Sequence, residues 1–284
     1  MTSIRPAFDI GFGDVSRVGC CAVSAVITPK FVAIANAGDC RAVVGRHGAA
    51  VEHSEVGAHP LSTAGTVAQA PRSTTEWSAI CLSEDHNCRH DGIQEELRAA
   101  HPGEDDIVVC RSSTSCYVKG RLQPTRALGD LYLKYSEFNG KYGTRLYGRH
   151  IKPPYTPPYV TATPEVQVHA TDQVRDAFLL LACDGVWVCL LRKMCIALPA
   201  FILMQDVLTN QEAIEFIAND SGDPLTVSER LVEFVLEREG ASKGLTIDQL
   251  KAVSLFDLHI KAHARIWPCF RADQPGTCAP EHAR

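Results

Sequence analysis

Residues 19–45, GCCAVSAVITPKFVAIANAGDCRAVVG, carry the clearest fold signal in this chain of 284 residues. Two apolar runs rich in Val, Ile and Ala flank Thr28-Pro29-Lys30, where the proline fixes φ and favours a turn over a strand interior. The second run stops at Asn36, Gly38 and Asp39, all turn formers, and a third apolar run starts at Cys40. The pattern predicts a hairpin followed by a third strand.

Downstream, residues 47 to about 80 turn to Ser, Thr, Gly, Ala and Pro without a period, which predicts a long surface loop or an insertion at about 51–79. Residues 91–101 place Ile93 and Leu97 four apart behind Asp91, a candidate cap, and ahead of Pro102-Gly103, so a short helix is expected. A strand pair is expected over 107–110 and 116–118 around a polar turn. The prolines of 151–159, IKPPYTPPY, predict an extended surface segment, and 160–169 alternates as an edge strand does. The continuous apolar run 177–183, AFLLLAC, predicts a buried strand ending at Asp184-Gly185. Residues 209–219 and 224–238 have helical apolar spacing, and the final stretch from 254 shows neither period. Strand pairs with helices between and after them, without alternation of the Rossmann type, point to an α+β fold with antiparallel sheets.

Composition narrows the function classes. Hydrophobic residues make up 45% and charged residues 21%, with a net charge of −5, which excludes gross disorder and removes any electrostatic reason to expect nucleic acid. The longest apolar stretch, Met194 to Met204, is short of the ~20 residues a membrane-crossing helix needs. Twelve cysteines are present without a C-x-x-C pair, so zinc-ribbon spacing is absent. No secretory apolar segment opens the chain, and the expectation is a cytoplasmic monomer with its cysteines as thiols.

Candidate chemistry centres on two acids. Asp39 in NAGDCRAVV and Asp184 in LLLACDGVW each border an apolar run with glycine beside them. Carboxylates at strand ends suit hard cations, which prefer oxygen ligands. Turn formation alone also accounts for Gly-Asp and Asp-Gly, and two acids do not define a metal site. LSEDHNCR at 82–89 offers Ser83, Asp85 and His86, with a structural role expected, and Arg126 and Asp130 of RALGD could pair with each other or meet a phosphate.

The order of these blocks is informative. GCCAVSAVI, NAGDCRAVV, LSEDHN, KGRLQPTRALGDLYLK, TPPYVTATPEV, LLLACDGVW and DVLTNQEAIEFI together resemble the metal-dependent serine/threonine protein phosphatases, the type-2C or PPM family, over most of residues 19–253. LQPTRALGDLYLKYSEFNG and PPYTPPYVTATPEV look most like the branch that includes pyruvate dehydrogenase phosphatases. The resemblance implies a four-layer α-β-β-α sandwich whose carboxylates hold two Mg²⁺ or Mn²⁺ ions. It implies that a metal-activated water hydrolyses phosphoserine or phosphothreonine in phosphorylated proteins. Carried over by position, Asp184 and Gly185 match a metal-binding block and Asp39 matches a weaker metal site. Arg126, Gly129, Asp130, Ser83, Asp85 and His86 fall in blocks that are substrate-proximal or structural.

The chain departs from that pattern in three places. Residues 1–18 hold no match to the family's D-G-H-G-G strand end; Asp9 and Asp14 lack the His-Gly-Gly that follows it. After Trp187, residues 188–205 interrupt the family's reading, which resumes at Asp206-Val207-Leu208, so the segment reads as an in-phase insertion with the character of translated intron. It leaves Asp206 as a displaced candidate ligand. LTIDQLKAV at 245–253 fits the family, but no acidic block precedes a following strand, and 254–284 reads as a tail of uncertain order. The expected domain therefore covers 1–253, incomplete at both ends. A catalytically inactive pseudophosphatase that binds phosphoproteins is the alternative reading, and a longer parent protein could be mitochondrial or nuclear.

Overall fold

Strand pairing follows the apolar runs. The computed structural model of the chain describes residues 13–48, 76–112, 115–139, 150–187, 208–243 and 264–268. After a 3₁₀ turn at Gly13–Arg17 come β1 (Gly19–Cys20), β2 (Ala22–Ile27), β3 (Phe31–Ala37), β4 (Cys40–His47) and β5 (Trp77–Cys81). They are followed by α1 (Asp91–Ala100), β6 (Val108–Ser112), β7 (Ser115–Val118), β8 (Leu128–Gly129), β9 (Glu165–Ala170) and β10 (Asp176–Cys183). A single turn α2 (Asp184–Trp187), helices α3 (Asn210–Ala218) and α4 (Pro224–Lys243), and β11 (Ala264–Pro268) complete the order.

Two antiparallel sheets form the centre, one ordered β2-β3-β9 and the other β11-β10-β4-β5. Successive side chains of a strand face opposite ways, so β4 serves two cores at once. Ala42 and Val44 meet Val32 and Ile34 of β3, together with Leu82 and Leu179, between the sheets. Val43 points the other way, joining Phe178, Leu180 and Ala182 of β10 under the helices. The uninterrupted run of β10 is explained by this burial on both faces. Each large aliphatic side chain removed from water there contributes about 1.5–3 kcal/mol.

The helical layer docks through Ala213, Ile214 and Ile217 of α3 and Val227, Leu231 and Val235 of α4. Thr209 and Glu212 form a reciprocal capping box at the start of α3. Asp223 caps α4 by accepting from the N–H groups of Leu225 and Thr226 at 3.0 and 3.1 Å, ahead of Pro224 in the first turn, where its missing N–H costs nothing. Trp187 and Leu208, which flank the expected insertion, lie in this same core, while residues 188–205 themselves lie outside the described residues.

The expected two-sheet α+β sandwich is therefore present. Three of the four expected layers fall among the described residues. The outer face of β2-β3-β9 leaves Val26, Val166 and Val168 more than 60% exposed (62%, 62% and 67%). A third core gathers Leu97 of α1, Ile107, Cys116, Val118 and the segment Leu131–Leu133. No helix among the described residues is long and apolar enough to cross a membrane.

Several expectations are corrected. The loop expected up to residue 80 ends earlier, because Trp77–Cys81 is β5 and pairs with β4 from His47↔Trp77 to Val43↔Cys81. The 254–284 tail contains β11, which pairs with β10. Helix α1 has His90 at its N-cap position, with no side-chain cap bond, and Asp91 as its first residue. The 151–159 segment is anchored, since Ile151 and Tyr159 are buried and the Tyr155 hydroxyl donates to the Tyr132 carbonyl at 2.7 Å. Cys110 and Cys116, directly opposite across β6 and β7, form a disulfide where thiols were expected.

Candidate functional site

The chain switches sheets at Gly38-Asp39. Strand β3 ends in the first sheet at Ala37 and β4 begins in the second at Cys40. Gly38 has φ +113°, and a Cβ there would lie 2.4 Å from Cys21 Sγ and 2.7 Å from the Arg126 carbonyl oxygen, so only glycine fits. Strand β10 runs antiparallel to β4 with Cys183 opposite Cys40. Asp184, one residue beyond Cys183, therefore emerges beside Asp39, one residue before Cys40, at the same end of the ladder.

The proximity is legible in the charges. Burial first, and then the negative charge of Asp39, push the Asp184 carboxyl up to about 6, against a hydrogen bond from the Gly185 N–H that favours ionisation. Burial, followed by the charge of Asp85, likewise raises Asp39, while Asn87, Arg89 and Arg41 oppose the rise. Asp39 is only 6% exposed, so these carboxylates repel across a poorly solvated gap. A cation between them would relieve that repulsion.

The LSEDHN segment supports this corner. The Asn87 amide donates to Asp39 Oδ2 at 2.5 Å. His86 is buried, with Nε2 3.0 Å from Glu165 Oε2 and its backbone N–H donating to the Gly38 carbonyl at 3.2 Å. The Ser83 hydroxyl accepts the Ala42 N–H at 2.9 Å. Asp85 is gripped by Arg41, through Nε at 2.7 Å and a second nitrogen at 2.6 Å, and by Arg89 at 2.8 Å. Burial alone would raise Asp85, but the Arg41 hydrogen bonds and the two guanidinium charges hold it below the usual carboxylate range. Asp85 is thus held ionised by two guanidinium partners inside the protein.

Arg126 and Asp130 behave differently from an ion pair. The Arg126 guanidinium donates to the Thr163 carbonyl at 3.2 Å, while its own carbonyl packs against Gly38. Asp130 is buried, its carboxyl pushed up to about 6 by that burial and opposed by Lys134. Its carboxylate fills the space where a Gly19 Cβ would stand, 1.8 Å away, and its N–H donates to the Val18 carbonyl at 2.8 Å. The pair expected between Arg126 and Asp130 is not formed among the described contacts: Arg126 meets Thr163 and Gly38, and Asp130 lies against Val18 and Gly19 beside the β1–β8 strand pair.

Asp206 lies outside the described residues. Among those described, no group of three His, Cys, Asp or Glu side chains is arranged to hold a metal ion. Asp39 and Asp184 fit a hard divalent cation in charge and donor type, and two carboxylates would make up only part of its coordination shell. Arg41, Arg89 and Asn87 were missed from sequence. The first two carried a faint signal, as cations within or beside quoted acidic blocks, whereas Asn87 meets Asp39 only through the fold.

The chain is similar to known proteins over most of its length. The family model for protein phosphatase 2C matches residues 13–198. Similar curated proteins include "Probable protein phosphatase 2C 64" of Arabidopsis thaliana, 30% identical over 241 residues, covering 84% of this chain and 48% of the relative. "Probable protein phosphatase 2C 28" of Oryza sativa subsp. japonica is 27% identical, again over 84% of this chain and 48% of the relative. The chain thus spans about half the length of the curated relatives it matches. Among solved structures, the serine-threonine phosphatase 2C from Toxoplasma gondii aligns over 85% of this chain and 58% of its own, with 16% identity and a TM-score of 0.47.

Proposed function

We propose, from the premise that this chain belongs to the protein phosphatase 2C family, that it hydrolyses phosphoserine and phosphothreonine in protein substrates with Mg²⁺ or Mn²⁺ held at the Asp39–Asp184 corner. The observation that carries this reading is the Cys40↔Cys183 register, which sets the two acids side by side. Divalent cations, when bound, supply the Lewis acidity that activates water and offsets phosphoryl charge.

The protein's own residues hold and orient. Asp184 and Asp39 attract the cation, the Gly185 N–H steers the Asp184 carboxylate, and Asn87 fixes one oxygen of Asp39. Arg41 and Arg89 pair with Asp85 and offset part of its charge, the rest of which adds to the negative potential at Asp39. In this reading Asp206 contributes a further carboxylate, and two ions are bound as the resemblance implies.

The test is phosphate release from a phosphothreonine peptide by the purified chain with Mn²⁺. The expected result is metal-dependent turnover that falls to background in Asp184→Ala. Absence of turnover in the parent chain would overturn hydrolysis.

A second reading, a phosphoprotein-binding module without turnover, is favoured by the lack of a third ligating group among the described residues. Titration calorimetry separates the two readings: it expects Mn²⁺ heat lost in Asp184→Ala for the enzyme, and phosphopeptide binding indifferent to Mn²⁺ for the module.

A further inference from the structure

A cavity of about 280 Å³ lies between α1 and the segments 125–126 and 158–161. It exceeds the ~30 Å³ share of one water many times over and has room for a single-ring molecule. Ile93 and Leu97 of α1, with Pro158 and Val160 from the other segment, give it apolar walls.

One polar group on the wall is held with a hydrogen-bonding site unused. His101, which follows α1, is 8% exposed, and a buried chain of hydrogen bonds fixes its tautomer. Lys119 Nζ lies 2.7 Å from Glu104 Oε2 and keeps that acid ionised, so Glu104 can only accept. The Thr156 hydroxyl therefore gives its hydrogen to Glu104 and has only lone pairs to offer His101 Nδ1, 3.1 Å away. Nδ1 thus carries the hydrogen of the neutral ring and leaves Nε2 bare, without a hydrogen-bond partner among the described residues. Tyr159, whose own hydroxyl donates to Glu104 at 2.9 Å, steadies the imidazole with ring centroids 4.7 Å apart. The result is a positioned acceptor at a cavity wall that no contact of the fold uses.

Arg126 brings the complementary charge. Its half-buried guanidinium gives one N–H to the Thr163 carbonyl at 3.2 Å and keeps the remaining donors for another acceptor. Glu96 of α1 also lines the cavity and repels an anion, which leaves Arg126 as the place for an acid group. The neighbouring polar groups are already occupied: both nitrogens of His86 have partners, and the Thr161 hydroxyl meets Thr163.

We propose that this cavity binds a small aromatic acid with a hydroxyl at its far end, the ring packed between α1 and 158–160, the hydroxyl donating to His101 Nε2 and the carboxylate accepting from Arg126. An acceptor at one place and a cation at another, joined by apolar walls, select that combination over a plain hydrocarbon or an inorganic anion.

The inference stands apart from the phosphatase reading, because its test measures binding to the metal-free chain. The full chain is titrated by ligand-observed NMR with 4-hydroxyphenylacetate, with phenylacetate, which lacks the hydroxyl, and with 4-hydroxyphenylacetamide, which lacks the charge. The expected result is saturable binding of the first probe and about tenfold weaker binding of each of the others. The place of binding is read with diethyl pyrocarbonate, which acylates bare imidazole nitrogens. After reduction and trypsin digestion, peptide 99–111 carries His101 and no other histidine. Acylation of His101 is expected without the probe and is expected to slow about tenfold with 4-hydroxyphenylacetate at ten times its Kd. In His101→Phe the preference for the hydroxyl is expected to vanish. Equal binding of the three probes, no saturable binding, a His101 that the reagent does not reach or the probe does not protect, or a preference kept in His101→Phe would each overturn the proposal. The probe series and the acylation are read on the unsubstituted chain, so the outcome does not depend on a variant folding.

Discussion

The two ends of the β4–β10 ladder treat buried acids in opposite ways. At one end Asp176 faces Arg46, whose Nε donates to it at 2.6 Å, while His169 Nε2 lies 2.9 Å from its other oxygen and the Asp172 N–H donates at 2.9 Å. Burial alone would raise that carboxyl, yet the His169 and Arg46 hydrogen bonds bring it down to about 2. At the other end Asp184 neighbours Asp39 and is pushed up to about 6. The same two strands thus carry one acid that the protein neutralises and one whose charge it leaves under-compensated. In the proposed function that is the acid which would meet a charge from outside the chain.

Breaking the compensated end gives the largest expected effect. Arg46→Ala strands the Asp176 charge in the interior, with an expected loss of about 3–5 kcal/mol in urea unfolding. A loss below about 1 kcal/mol would remove the contrast.

Acid titration tests the same end more gently. The folded carboxyl of Asp176, near 2, lies below its ordinary 3.8, so its stabilisation is full above that ordinary value and is lost as pH falls through the folded one. About 2 kcal/mol is expected to disappear between pH ~4 and ~2 in the parent chain, and this step is expected to be absent in Asp176→Asn.

At the other end the sign reverses. Asp184 has a folded value of about 6 against an ordinary 3.8, so its ionisation opposes folding. Both states are protonated at lower pH and the penalty is absent; it grows between the two values and is complete above the higher. Asp184→Asn is expected to stabilise the metal-free chain by roughly 1–2 kcal/mol at pH 8, with the gain vanishing below pH ~4. A destabilised variant at pH 8 would show that the protein already compensates this charge.

The smallest effect concerns Asn87. Its replacement by Ala removes the amide that holds Asp39 and is expected to cost about 1 kcal/mol in thermal unfolding at neutral pH.

Strands β2, β3, β4 and β10 were legible because their burial is written into adjacent residues: alternation in β2 and β3, and an unbroken apolar run where β10 is covered on both faces. β5 was hidden because WSAIC follows a polar stretch and its pairing with β4 is purely tertiary. β11 was obscured by Pro268, which an edge strand tolerates at its end. The Cys110–Cys116 bond spans the turn of an expected strand pair, a spacing that the general expectation of thiols passed over. Asp39 and Asp184 were legible as strand-end acids, and the structure adds the register that brings them together. Arg126 and Asp130, close in sequence, were expected to meet; their side chains serve different neighbours because Asp130 adopts a left-handed φ of +46° that redirects the chain.

The ladder that presents the acids joins positions far apart in the chain, with Arg46 and Asp176 separated by 130 residues. Closing so wide a span costs entropy that only the finished pairing returns. During synthesis the first acid therefore leaves the ribosome long before its neighbour exists. A nascent chain stopped short of Asp184 has its first hairpin and lacks the register that sets the two acids side by side.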